Sequence, residues 1–137
     1  MALNVRIEEA NEEQEAIAQG LLNQDRACGF NHTKSDALGE DERCYVICLE
    51  EAIIGYYSYR WVSNQIYYFF IAPEWRRRGI GATVVKLILE NAAEADVKEV
   101  IVNMQPGSEK FWEAVLNSFP LERDWGSRFR VQIASRE

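Results

Sequence analysis

The sequence has a single histidine, His32, among its 137 residues, so a metal site built from several histidines is excluded. Its three cysteines are an odd number without a C-x-x-C pair, which fits neither a disulfide framework nor a usual zinc site. Cys44 and Cys48 would lie about 13 Å apart on an extended strand, too far to form a disulfide. We expect reduced core thiols there. Cys28 and His32 make only a weak nucleophile and base pair, in a loop-like stretch.

Basic side chains are also scarce, because 15 lysines and arginines face 22 aspartates and glutamates, for a net charge of −7. This balance argues against nucleic acid as the main partner, since phosphate neutralisation needs a basic face. The excess of acid lies in residues 1–51, which hold 12 acidic and 4 basic side chains. An acidic face there would attract a cationic partner such as an amine, or would only keep the surface solvated.

Long apolar runs are absent, since none approaches the roughly 20 residues that cross a bilayer. The first residues lack the basic start and apolar middle of a signal peptide. We therefore expect a soluble, cytoplasmic protein without a membrane partner. The 47% apolar content, with no repeat and no linker, indicates one globular domain over residues 1–137.

The hydrophobic pattern predicts an α/β (α+β) fold in which strands precede and follow amphipathic helices. Asn11 is expected to cap the first helix, which would bury Ile17, Leu21 and Leu22. The strand 66–71 is apolar on both faces, which is typical of a central strand covered from both sides. Strands are predicted over 3–8, 43–49, 52–61, 66–71, 99–103, 121–124 and 128–134, helices after Asn11 and over 79–94 and 107–117, and a loop or irregular helix over 25–42.

The segment 69–82, between the central strand and the helix that follows it, carries the strongest functional signal. Gly79 and Gly81 let consecutive backbone amides at a helix start point towards an anion. Arg76, Arg77 and Arg78 add positive charge where the helix dipole disfavours it, and a bound phosphate would relieve that conflict. The alternative is a solvated turn with a glycine-assisted helix start.

Two familiar phosphate loops are excluded by spacing. A dinucleotide fingerprint needs a third glycine where this chain has Val84, and the Gly-Lys-Ser/Thr of a P-loop is absent. The remaining pattern, Arg-x-x-Gly-x-Gly after a strand that ends aliphatic-x-Pro, resembles the acetyl-CoA signature of the GNAT superfamily of N-acetyltransferases. Arg76, Gly79 and Gly81 fill the signature, and Ile71 and Pro73 match the strand end.

The resemblance extends to the order of elements along essentially the whole chain, although only the signature is specific. It implies a single-domain GNAT-like fold with a mixed, mostly antiparallel central sheet and a splay between the fourth and fifth strands. It also implies acetyl-CoA as cofactor, with the diphosphate on the amides of residues 76–82 and the pantetheine arm in the splay. The backbone amide of Ile71 would stabilise the oxyanion. The implied cofactor-binding residues are Phe69, Ile71, Arg76, Arg77, Arg78, Gly79, Ile80, Gly81 and Ala82.

The general acid and base do not follow from the resemblance. Family members often carry a tyrosine acid in an Asn-x-x-Ala-x-x-x-Tyr pattern, where this chain has Gln105, Ser108 and Trp112. Tryptophan has no transferable proton at neutral pH, so Trp112 is expected to pack in the core beside Phe111. Gln65 stands where some members have a glutamate base. A water chain or the hydroxyl of Tyr57, Tyr59, Tyr67 or Ser108 could substitute.

The predicted function is therefore transfer of an acetyl group from acetyl-CoA directly to a primary amine of a small molecule, peptide or protein. The acidic N-terminal third would form the acceptor side. The alternative is a coenzyme A-binding regulatory or interaction module without turnover, which the missing tyrosine and glutamate favour. Such a domain is compatible with a homodimer, and no metal is implied.

Overall fold

The computed structural model describes residues 4–25, 42–76, 78–104, 109–117, 119–123 and 128–133. Within these residues, seven strands and three α-helices follow one another in the order that the sequence predicts. They are β1 (Val5–Glu9), α1 (Glu12–Asn23), β2 (Glu42–Leu49), β3 (Ala52–Arg60), β4 (Gln65–Ile71), α2 (Ile80–Glu94), β5 (Glu99–Asn103), α3 (Glu109–Val115), β6 (Leu121–Arg123) and β7 (Arg128–Gln132).

All seven described strands form one sheet in the order β1-β2-β3-β4-β5-β7-β6. β4 and β5 run parallel, as the intervening helix α2 requires, and every other pair is antiparallel. The predicted mixed, mostly antiparallel sheet is thereby confirmed. β4 lies in the middle of the sheet, in agreement with its two apolar faces.

Helix α1 begins at a capping box that the sequence predicts. The Asn11 side chain accepts from the Gln14 amide at 2.8 Å, and the Gln14 side chain accepts from the Asn11 amide at 3.0 Å. The helix buries Ala18 and Leu22, which are one turn apart. Ile17 was expected in this stripe, and that prediction is wrong, because its side chain is 45% exposed beside the buried row.

The helices cover opposite faces of the sheet. Helices α2 and α3 share the larger core with β-strand residues such as Ile47, Ile66 and Val100, while α1 packs on a smaller core with Val46 and Tyr56. Cys44 and Cys48 belong to this smaller core as buried thiols that form no disulfide, as predicted. Cys28 and His32 lie outside the described residues.

No helix in the described part of the chain has the length and apolar character needed to span a membrane. The main departures from the predicted boundaries fall at the C-terminal end. Helix α3 ends at Val115 rather than at residue 117, and β7 ends at Gln132 rather than at residue 134. The predicted start of α3, at residue 107, lies outside the described residues.

Candidate functional site

Strands β4 and β5 separate after a short stretch of pairing. Only Gln65 with Ile101 and Ile66 with Val102 are in register. The remaining β4 residues, 67–71, have no partner on that side among the described strands. The sheet therefore opens into a wedge, the β4–β5 gap, which is the predicted splay.

A β-bulge in β4 lies at the point where the gap begins. Tyr57 pairs with Phe69, but Tyr59 pairs with Ile66. Between these two pairs, β4 therefore has one residue more than β3. The Tyr68 amide donates to the buried Ser58 hydroxyl at 3.0 Å. The rings of Tyr67 and Tyr68 lie edge to face, 4.9 Å apart, although neighbouring residues of a regular strand point to opposite faces. The bulge bends β4 away from β5.

Beyond the bulge, the β4 backbone presents polar groups to the gap. The Ala72 amide donates to the Ile54 carbonyl of β3 at 2.8 Å. Since amides of an antiparallel strand point alternately to either side, those of Ile71 and Phe69 point away from β3. The two predicted pantetheine-binding residues thus direct their backbone groups to the gap.

The first turn of α2 follows directly and forms an anion-binding cradle. Gly79 precedes it with φ 78°, a left-handed conformation that favours glycine. The first backbone bond of the helix runs from the Thr83 amide to the Gly79 carbonyl at 3.2 Å, so the amides of Ile80, Gly81 and Ala82 have no acceptor within the helix. No acidic residue and no side-chain cap occupies this turn. Free amides at a positive dipole end suit a diphosphate.

The two described arginines of the signature have different surroundings. Arg76 donates from Nε to the Ile71 carbonyl at 2.7 Å and from Nη2 to Asp25 at 2.7 Å, which ties the end of α1 to the end of β4. Its guanidinium also lies 5.4 Å from the centre of the Phe70 ring. Arg78 is exposed over the Trp75 ring at 5.1 Å. Arg76 therefore positions the turn, whereas Arg78 is available to an anion; Arg77 lies outside the described residues.

Three aromatic rings pack together where β4 meets α3. Phe69 lies 5.6 Å from Phe111 and 5.4 Å from Trp112 between ring centres. Phe111 also reaches the first turn of α2, where a β-carbon placed on Gly81 would lie 2.6 Å from its Cε1. Trp112 is 2% exposed, which confirms the prediction that it packs in the core beside Phe111.

Gln65, at the head of β4, is 7% exposed and bridges the two strands at the closed end of the gap. Its Nε2 donates to Asn103 Oδ1 on β5, and its Oε1 accepts from the Ser63 hydroxyl at 3.2 Å. The neutral amide is thus held by two partners. The Gln65 amide cannot act as the carboxylate base that a glutamate at this position would supply.

The tyrosines that could act as acid differ in burial. Burial raises the pKa of Tyr57 and of Tyr59, and both lie in the larger core. The Tyr59 hydroxyl bonds to Asn64 Oδ1 at 3.2 Å. Tyr67 is half-buried and is the first β4 residue beyond the paired registers. Ser108 and Gln105 lie outside the described residues. Among the residues that are described, no group of three possible metal ligands occurs.

Residues 10–115 match the model of the acetyltransferase (GNAT) domain. The chain belongs to the GNAT acetyltransferase family. No protein of curated function matches the sequence.

Solved GNAT structures share the fold of this chain at low sequence identity. The PaiA N-acetyltransferase of Thermoplasma acidophilum, in complex with coenzyme A, is 14% identical with a TM-score of 0.67, over 94% of this chain and 98% of that chain. The ribosomal-protein-S18-alanine N-acetyltransferase of Escherichia coli is 12% identical with a TM-score of 0.67, over 97% and 96%. A GNAT family acetyltransferase of Elizabethkingia anophelis with acetyl-CoA bound is 14% identical with a TM-score of 0.62, over 94% and 96%.

Residues 10–115, which match the GNAT domain, include both the β4–β5 gap and the α2 turn. Sequence reasoning found the signature and the splay, but it missed the ring of Phe111 over Gly81 and the pairing of Arg76 with Asp25. The Gly-x-Gly spacing contained no signal for the first contact, because α3 follows about 30 residues later. The acidic residue at position 25 was visible only as part of the N-terminal excess of acid.

Proposed function

We propose that this protein is an acetyl-CoA-dependent N-acetyltransferase that transfers the acetyl group directly to a primary amine of a small molecule, peptide or protein. One observation carries the proposal: β4 opens from β5 beyond Ile66, and the turn with three free amides, Ile80–Ala82, follows at the open end. A long cofactor with a diphosphate at one end and a thioester at the other suits this arrangement. Family membership supports the same activity.

The proposed cofactor contacts follow from these backbone groups. The amides of Ile80, Gly81 and Ala82 would hold the diphosphate, with Arg78 and Arg77 adding positive charge. The backbone of Phe69 would bind the pantetheine arm, and the Ile71 amide would lie at its thioester end. Bound acetyl-CoA supplies the acetyl group as a thioester.

Acyl transfer needs stabilisation of the oxyanion, a proton for the departing thiolate and a deprotonated amine. The chain's own groups meet the first two needs. The Ile71 amide would donate to the thioester carbonyl oxygen and stabilise the negative charge that develops there. We assign to the Tyr67 hydroxyl the proton for the departing thiolate, because Tyr67 borders the gap while Tyr57 and Tyr59 are buried elsewhere in the core. The amine would lose its proton to solvent water, since Gln65 offers no base.

Small and protein amines are both acceptor classes for this fold. Solved structures of similar fold include a spermidine N-acetyltransferase chimera and the S18-alanine enzyme, each under 15% identical to this chain. The acidic first turn of α1, with Glu12, Glu13 and Glu15, favours a cationic acceptor.

A single assay tests the proposal. The protein is incubated with acetyl-CoA and a panel of primary amines and N-terminal peptides, free thiol release is followed, and thermal stabilisation by coenzyme A is measured in parallel. We expect stabilisation together with thiol release that saturates with at least one amine. Failure of both would contradict the proposal.

A second candidate is a coenzyme A-binding module without turnover. Trp112 and Gln65 favour it, because neither supplies an acid or a base where family members often have one. Stabilisation by coenzyme A without thiol release across the whole panel would support this candidate against the enzyme.

A further inference from the structure

A cavity of about 200 Å³ lies on the α2 face of the sheet, away from the β4–β5 gap. Strands β1, β2 and β3 and the second half of α2 enclose it, and no described residue of the signature segment or of α3 lines it. Nothing in the proposed acetyl transfer uses this space.

The wall of the cavity is aromatic and held in place by its own contacts. Tyr45 and Tyr57 stack with ring centres 5.0 Å apart, and Tyr59 and Trp61 lie 4.7 Å apart at a tilt of 56°. The Trp61 indole N–H donates to the Tyr45 hydroxyl at 2.8 Å, and the Tyr59 hydroxyl is bonded to Asn64. These bonds link the rings of β2 and β3 into one preformed wall.

The hydroxyl of Tyr57 is a polar group of the wall. Tyr57 is 3% exposed and lines the cavity. Burial keeps this hydroxyl protonated, since it raises the pKa of Tyr57.

The charge at the cavity is negative. Glu9 is exposed at its edge, pairs with Tyr45 across the strands and adds to the rise in the Tyr45 pKa that burial begins. Glu8 also borders the cavity, but its carboxylate accepts from Gln14 at 2.8 Å. No described lining residue is basic, and the nearby Arg43 donates to the Glu42 carbonyl at 3.3 Å.

We propose that this cavity is a second ligand site, for a small organic ammonium ion held by Tyr45, Tyr57, Tyr59, Trp61 and Glu9. Tyrosine and tryptophan rings attract cations, and a carboxylate at the edge adds a full negative charge. The volume admits only a few heavy atoms, which excludes coenzyme A and a peptide. Asn91 of α2 provides a further polar group at the wall.

Choline and its neutral analogue 3,3-dimethylbutan-1-ol, in which carbon replaces nitrogen, test the proposal on the full chain. Binding is followed by the indole N–H resonance of Trp61, which is assigned from a Trp61→Phe spectrum. We expect a saturable shift with choline at millimolar concentration, about −4 kcal/mol of binding free energy, and at least tenfold weaker binding of the neutral analogue. No saturable shift with choline, or equal binding of the two, would overturn the proposal.

Two charge-matched variants locate the cation. Glu9→Gln should weaken choline binding about tenfold, whereas Glu113→Gln, in α3 and outside the cavity, should leave it unchanged. Both residues are exposed, so both variants should fold. Equal effects of the two would indicate a general response to net charge and would contradict the site.

Discussion

The ring of Phe111 occupies the space into which a side chain at Gly81 would extend, with Cε1 2.6 Å and Cζ 3.0 Å from the β-carbon position. Gly81 belongs to the signature and Phe111 to α3, so the turn that presents free amides also receives the helix that closes one side of the gap. Glycine at this position is thus required by packing within the protein itself.

Gly81→Ala should lower the free energy of unfolding by about 1–3 kcal/mol, because its methyl group overlaps the Phe111 ring. Adding Phe111→Leu should remove most of this penalty, since alanine in a helix is otherwise favoured over glycine by up to about 1 kcal/mol. Chemical denaturation of the two single variants and the double variant measures the coupling. Additive losses would contradict the contact.

Arg76→Ala should destabilise the protein and weaken coenzyme A binding together, because its side chain bonds both the Ile71 carbonyl and Asp25. We expect about 1–2 kcal/mol of lost stability, discounted for the 45% exposure of the arginine side chain. Thermal melting and calorimetric titration measure the two effects.

Arg78→Ala is the matched control for that variant. Its guanidinium is exposed over Trp75, so stability should change by less than about 0.5 kcal/mol while coenzyme A affinity falls and becomes less sensitive to salt. A large loss of stability in Arg78→Ala, or none in Arg76→Ala, would reverse the roles assigned to the two residues.

The sequence predicted the elements and the central position of β4, because periodicity, caps and the strand-helix-strand order are local properties. The splay was predicted only from the resemblance to the GNAT superfamily. It could not predict the bulge at Tyr67 and Tyr68, since an extra residue shows only when β4 is counted against β3. The bond between Arg76 and Asp25 joins residues 51 positions apart. Ile17 was wrongly assigned to the core because helical spacing alone does not fix how far α1 is rotated on the sheet.

Tyr67→Phe should lower turnover by about 10²-fold or more without weakening coenzyme A binding, because it removes the proton donor assigned to the thiolate. Tyr68→Phe, at the neighbouring position of the bulge, should leave turnover within a few-fold. Steady-state thiol release for the three proteins, together with cofactor titration, makes the comparison. Equal turnover of wild type and Tyr67→Phe would exclude this hydroxyl as the acid.

Stability should fall as the pH rises above 10, the ordinary pKa of tyrosine. Burial raises the pKa of Tyr57 and Tyr59, so both stay protonated in the folded protein while the unfolded chain ionises. Below pH 10 the two tyrosines contribute fully to the free energy of unfolding. Above pH 10 each tyrosine lowers that free energy by up to about 1.4 kcal/mol per pH unit. Urea unfolding in the alkaline range should show a shallower decline for Tyr57→Phe than for wild type, and identical slopes would contradict the assignment.

The most direct test of the central claim is a titration of the ¹⁵N-labelled protein with coenzyme A, followed by backbone amide resonances. We predict that the largest shifts fall on Phe69 and Ile71 of β4 and on Ile80, Gly81 and Ala82 of α2. Shifts concentrated elsewhere, or none at millimolar coenzyme A, would contradict a cofactor site formed by the gap and the helix turn.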